Sequence, residues 1–236
     1  MNARGNTPRF LGAAFLAVVV TSLTSGLATG AATGSGDIAD VLASVADHTG
    51  LVHVAVLMGV LNAVGILVLA GLLYAVLSPW GKTLALIATL CWTGESFFYA
   101  LNQIAANALT HVASDFQSSG GVSGSSAGSY ASLGQFLYTD VSGRGGTILM
   151  FFYCAGGLLF YYLFFVSRMV PRWISGYGLV AVAVGIVGAS IELLGPSLGI
   201  VPYIAILPFE LVVGVYLLSR GGDTTSTTPA VEMVAV

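Results

Sequence analysis

The chain has 236 residues, 56% of them hydrophobic and only 7% charged, with a formal net charge of −3. Soluble domains carry about 25% charged residues, and seven Lys and Arg are too few for a basic binding face. A soluble globular domain, a disordered chain and a nucleic-acid binder are therefore excluded, which leaves a polytopic α-helical membrane protein.

A helical span needs roughly 20 apolar residues to cross a hydrocarbon core of about 30 Å. The first such stretch is residues 10–30, preceded by Arg4 and Arg9. Together with the small residues Leu27 to Ala32 it also reads as a signal peptide, whose cleavage would leave five spans and an external N-terminus. Gly26, Gly30 and Gly34 recur every four residues, a small-residue packing face that favours a retained span.

Residues 52–77 and 83–107 form the next two spans, joined at Ser78-Pro79-Trp80-Gly81 as an antiparallel hairpin. The segment 111–145 then reads as a long loop. Its part from Ser118 to Ser129 is nearly all Ser and Gly, the composition of a flexible linker. Leu133, Phe136, Leu137 and Val141 after it have helical spacing and predict a short helix lying in the membrane interface, as a tether or a lid. Spans at 146–167 and 173–194 form a second hairpin around Ser167–Arg172, and a sixth span covers 200–218. The expected organisation is one six-span domain over residues 1–221 with a Thr-rich, flexible cytoplasmic tail at 222–236.

Charge sets the expected orientation. Arg4, Arg9, Lys82, Arg168, Arg172 and Arg220 fall on one side of these spans, and only Arg144 on the other, with Asp37, Asp40, Asp47, Asp115 and Asp140. Basic residues stay cytoplasmic, so the fold class is an all-α bundle of six transmembrane helices with both termini cytoplasmic, in the cell membrane. Cys91 and Cys154 lie inside apolar runs and form no disulfide framework.

Three carboxylates fall inside spans, and an ionisable group at mid-span costs at least ~2.5 kcal/mol on insertion scales, which marks it as a functional candidate. Glu95 lies about 18 Å into the third span and Glu210 about 15 Å into the sixth, at 1.5 Å per residue. Cys91, Glu95, Tyr99, Asn102 and Ala106 are spaced four, four, three and four, one stripe facing the bundle interior, with Gln103 and Asn107 beside it. Such polar side chains either line a pocket or hold helices together by hydrogen bonds. Glu192, near the outer end of span five, ends the small-residue stripe Gly178, Ala181, Gly185 and Gly188, and Arg144 is its candidate partner in a structural ion pair. Pro208, two residues before Glu210, predicts a kink in span six.

Other chemistries lack their residues. His48, His53 and His111 sit at the external edge without metal-ligand spacing. No span holds a Lys for a Schiff base, Gly81-Lys82-Thr83 lacks the glycines of a P-loop, and no nucleophile–base arrangement stands out. No cofactor or metal is expected. Phe151-Phe152-Tyr153 and Phe160-Tyr161-Tyr162 read as packing or lipid-facing surface.

Three segments carry a resemblance to a known family: Gly71-Leu72-Leu73-Tyr74-Ala75-Val76-Leu77-Ser78-Pro79; Val170-Pro171-Arg172-Trp173-Ile174-Ser175-Gly176; and Leu207-Pro208-Phe209-Glu210-Leu211 with Tyr216-Leu217-Leu218-Ser219-Arg220-Gly221. Over about residues 10–221 the chain resembles the multi-span family catalogued as domain of unknown function 4386. The resemblance implies the architecture and marks Glu210, and it supplies no reaction. Two functional expectations follow. One is a non-enzymatic membrane protein that binds or moves a small solute, cation or proton at an outward-open site, with Glu95 and Glu210 as ligands and Tyr99 and Asn102 as orienting groups. The alternative is a structural or assembly subunit whose polar residues only hold helices together.

Overall fold

The computed structural model describes residues 7–219, which form helices and short turns with no strand among them. Arg4, Arg220 and the tail at 222–236 lie outside the described residues. Eight α-helices follow in chain order: α1 (Thr7–Thr33), α2 (Ile38–Asp47), α3 (Thr49–Leu77), α4 (Lys82–Ser118), α5 (Ala127–Gln135), α6 (Gly145–Ser167), α7 (Arg172–Leu193) and α8 (Ile206–Ser219). A wider, π-helical stretch, Phe136–Arg144, joins α5 to α6 without a break. Six of the resulting helical segments are long and apolar enough to cross a membrane, so this is a multi-pass membrane protein.

The six spans close into a ring: α1 packs on α3, α3 on α4, α4 on α6, α6 on α7, α7 on α8, and α8 back on α1. Small residues set how closely neighbours approach, as lipid-embedded packing requires. At the α1–α8 seam a Cβ on Gly12 would lie 2.7 Å from the Gly214 carbonyl oxygen and 3.0 Å from the Leu217 carbonyl carbon. Leu11, Phe15 and Val19, spaced by four, form the buried face of α1. On α7 the stripe Gly178, Gly185 and Gly188 receives Phe209, Cys154 and Pro202 in turn, the close approach its spacing predicts.

The small-residue face expected on α1 is corrected. A Cβ at Gly26 or Gly30 would meet nothing within 4 Å, and Gly34 is a left-handed residue (φ 63°) that ends the helix. The packed glycine of α1 is Gly12; Gly26 and Gly30 border open space.

The segment 111–145 is not a loop. α4 runs for 37 residues, about 55 Å at 1.5 Å per residue, so its last third projects beyond a 30 Å core. Leu109, Val112, Ala113 and Phe116 make an apolar stripe on that projection. α2 lays Val41, Leu42 and Val45 against it, and Ala127, Tyr130, Leu137 and Tyr138 pack on the same cluster. The result is a second small core outside the spans, a cap built from α2, α5 and the end of α4. α2 is started by a capping box: Asp37 accepts the Ala39 and Asp40 amides at 2.9 and 3.1 Å, and Asp40 accepts the Asp37 amide at 3.3 Å. The expected interface helix is thus an extension of the fourth span, packed on α4 and α2.

The sixth span is broken rather than kinked. Val201–Tyr203 forms a 3-10 turn and α8 begins only at Ile206. Pro208 therefore sits in the first turn of α8, where its missing N–H breaks no helical hydrogen bond. Glu210 follows one turn inside the helix, close to the positive end of the α8 dipole.

Candidate functional site

The ring encloses two chambers that share a wall. The inner one is a cavity of about 350 Å³, bordered by Glu95 and Tyr99 of α4, Glu210 of α8, Asn62 of α3, Ser22 of α1 and Tyr153 of α6. The outer one, about 870 Å³, lies toward the cap and is bordered by Ser25, Thr29, Asn102, Gln103, Arg144 and Glu192, among others. Tyr99, Leu149, Met150 and Tyr203 border both, and form the wall between them.

Glu95 and Glu210 come from opposite sides of the ring and face the same inner chamber. Their surroundings differ. Glu210 Oε1 accepts a hydrogen bond from the Tyr153 hydroxyl at 2.9 Å, and the Tyr153 and Tyr161 hydroxyls are 2.8 Å apart. Each hydroxyl has one proton, so with Glu210 as acceptor the direction runs Tyr161 to Tyr153 to Glu210. Trp92 holds the middle of this chain: its indole Nε1 donates to the Tyr153 carbonyl at 3.0 Å, and its ring stacks on Tyr153 at 5.8 Å. Glu95 has no comparable support. Its side chain is 6% exposed, and Oε2 is the single buried side-chain polar atom among the described residues with no hydrogen-bond partner. Native interiors rarely leave such a group bare, and each instance calls for an explanation.

Sequence comparison supplies the chain's membership. A family described as a domain of unknown function, DUF4386, matches residues 10–221. This chain is a DUF4386 protein. No curated protein and no solved structure matches it.

In this DUF4386 protein the matched region contains every chamber residue, including the Leu207–Leu211 segment that carries Glu210. Of the α4 stripe, Glu95 borders the inner chamber, Tyr99 both chambers, and Asn102 and Ala106 the outer one. Asn102 also packs on α6, where a Cβ at Gly145 would lie 2.7 Å from its Oδ1. Cys91, at the other end of the stripe, borders neither chamber.

The expected Glu192–Arg144 ion pair is corrected. Arg144 pairs with Asp140 at 3.0 Å, one turn earlier on the same helical stretch, with the arginine largely solvent-exposed and the aspartate partly so. Four-residue spacing puts that aspartate within reach before any other helix is involved. Glu192 instead takes the Tyr203 hydroxyl at 2.9 Å and the Leu198 amide at 3.0 Å. It thereby ties the segment between α7 and α8, and the tyrosine of the shared wall, to the end of α7.

The DUF4386 chain also places Tyr153 on the inner chamber, with Tyr161 hydrogen-bonded behind it, two residues that the aromatic runs concealed. Tyr153 and Tyr161 turn inward, 7% and 0% exposed, while Phe151 and Tyr162 from the same two runs stay partly exposed. Their separation of eight residues, a little over two helical turns, was the signal for a shared face. Trp92, one turn before Glu95 less one residue, belongs to the same wall.

Proposed function

We propose that the protein binds, and in moving it carries across the membrane, a small cationic solute or proton held between Glu95 and Glu210. The observation that carries this reading is the bare Oε2 of Glu95 in a chamber it shares with a second carboxylate. No Lys or Arg lies within the spans near either group, so a proton, a cation or water must supply the missing partner. Helix-to-helix hydrogen bonding does not use Glu95: Ser25 donates to the Ala55 carbonyl at 2.9 Å, Ser96 to the Ala63 carbonyl at 2.8 Å, and Thr21 to Asn62 Oδ1 at 3.0 Å. A purely structural role for Glu95 would have used the same solution. Tyr99 and Asn102 are proposed as orienting groups along the route from the outer chamber, and Glu192 and Arg144 as structural polar groups.

The test is a thermal-shift screen of purified protein against inorganic and organic cations. A ligand at 100 times its Kd stabilises the folded state by about 2.7 kcal/mol. Glu95→Gln and Glu210→Gln keep size and hydrogen-bonding atoms while removing the charge, and each should abolish that stabilisation with the unliganded melting temperature little changed. Equal stabilisation of parent and variants would refute the site.

The orientation belongs to the same proposal, because an outward-open chamber needs the cap outside the cell and the two short turns inside the cytoplasmic membrane face. Lys82, Arg168 and Arg172 all lie at the end opposite the cap, by the turns that join α3 to α4 and α6 to α7. After removal of Cys91 and Cys154, a single cysteine at Ser123 should react with an impermeant maleimide on intact cells, and one at Lys82 should not. The reverse pattern would turn the chambers toward the cytoplasm.

A further inference from the structure

The inner chamber is charged at one place and apolar almost everywhere else. Beyond its two carboxylates, Asn62 and Ser22, its border is aliphatic and aromatic: Ile66, Leu69, Ile206 and Leu207 on one side, and Trp92 and Tyr153 on the other. A volume of about 350 Å³ is at the small end of pockets that take organic ligands, roughly 300–1,000 Å³. A hydrated inorganic ion would leave these walls without a complement. Divalent ions such as calcium need six to eight oxygen ligands, and among the described residues no three His, Cys, Asp or Glu side chains gather.

The chamber also reaches the lipid side of the ring. α1 and α8 meet tightly at Gly12 and Gly214. Farther toward the cap, the break in the sixth span leaves the Val201–Tyr203 turn packed on α7, through Pro202 on Gly188 and Tyr203 on Glu192. Leu23 on the α1 side and Ile200 and Ile204 on the other border the chamber, yet are 42%, 73% and 66% exposed. These residues are both chamber wall and outer surface, which makes the gap between α1 and the broken sixth span a side entrance lined by aliphatic groups.

Resting on the cation-binding reading above, we infer that the inner chamber takes a primary ammonium group attached to an apolar body, which enters from the bilayer between α1 and the Ile200–Ile204 segment. The bare Glu95 Oε2 accepts an N–H of the ammonium, a charge-assisted bond. Glu210, held by Tyr153, supplies the second negative group, Trp92 offers its ring to the cation or the body, and the aliphatic border covers the body. A free alkyl or arylalkyl amine and a lipid with an aminoethyl headgroup share this chemistry.

The experiment uses the full chain in nanodiscs of phosphatidylcholine and phosphatidylglycerol, with 2-phenylethylammonium as probe. Its binding is compared with 2-phenylethanol, which has the body without the charge, and methylammonium, which has the charge without the body. The inference expects 2-phenylethylammonium to bind at least about tenfold more tightly than either: against 2-phenylethanol through the charged hydrogen bond, and against methylammonium through burial of the apolar body. Glu95→Gln should remove about that factor. Ile200→Trp, at the side entrance, should slow association and dissociation together. Nanodiscs that include phosphatidylethanolamine then identify the source: competition with the probe assigns the ammonium to the lipid, and unaltered binding assigns it to a free amine. If methylammonium or sodium binds as tightly as the probe and Glu95→Gln abolishes this, the amphipathic class is overturned and the carboxylate site stands. If 2-phenylethanol binds as tightly and Glu95→Gln changes nothing, both fall. Unchanged rates in Ile200→Trp overturn the lateral route.

Discussion

Replacing Gly12 with alanine is expected to destabilise the bundle by ~1–3 kcal/mol, while the same change at Gly26 or Gly30 of the same helix is expected to be neutral or stabilising by up to ~1 kcal/mol. The three glycines sit in one helix and differ only in what stands opposite. At Gly12 the added methyl would meet α8 backbone, with the Gly214 oxygen at 2.7 Å and the Leu217 carbonyl carbon at 3.0 Å. Backbone cannot rotate aside as a side chain can, so α1 and α8 must part and the ring opens at that seam. At Gly26 and Gly30 nothing lies within 4 Å, and only the gain in helix propensity remains. Thermal denaturation of the three purified variants in one detergent checks this. A Gly12→Ala variant as stable as the parent would show that the α1–α8 seam is not closed in the folded protein.

Trp92→Ala is expected to be the more damaging change, at ~3–5 kcal/mol for a fully buried large aromatic. Trp92 is 2% exposed, stacks on Tyr153, and meets the Phe160 ring edge-on at 4.9 Å. Its indole also lies against Gly156, so α6 approaches α4 at that point around this one side chain. Removal enlarges the inner chamber and frees Tyr153, and with it the hydroxyl that Glu210 accepts. Trp92→Phe keeps much of the packing but not the indole hydrogen bond, and should cost less. Fluorescence gives an independent readout. The other two tryptophans, Trp80 and Trp173, are 38% and 72% exposed, so the most blue-shifted emission should belong to Trp92 and disappear in Trp92→Phe. Retained blue emission and parental stability would together place Trp92 outside the core.

The six spans were legible because crossing a hydrocarbon layer demands long apolar runs, and hydropathy measures that demand directly. The cap was missed for the complementary reason. Leu109, Val112, Ala113 and Phe116 alternate with polar residues on an amphipathic helix, so mean hydropathy falls although the helix continues. The cues were periodic and local: that stripe, the Asp37/Asp40 capping box, and Val41, Leu42 and Val45 after it. At the candidate site, Glu95 and Glu210 stood out because carboxylates are costly at mid-span. Tyr153 and Tyr161 did not, since an aromatic beside other aromatics in an apolar run reveals its direction only once the helix register is known. Arg144 shows the opposite error. A distant partner was sought across helices while Asp140, four residues earlier, was already within reach.

α4 joins the two parts of the molecule without a joint. From Glu95 at the inner chamber to Phe116 in the cap there are 21 residues of uninterrupted helix, about 31 Å at 1.5 Å per residue. A helix of that length behaves as a stiff mast, anchored below by the ring and stayed above by α2 and α5. Tilting its top swings Asn102 and Tyr99 through the same angle. Whatever grips the cap therefore holds the same unbroken helix that carries Asn102, Tyr99 and Glu95.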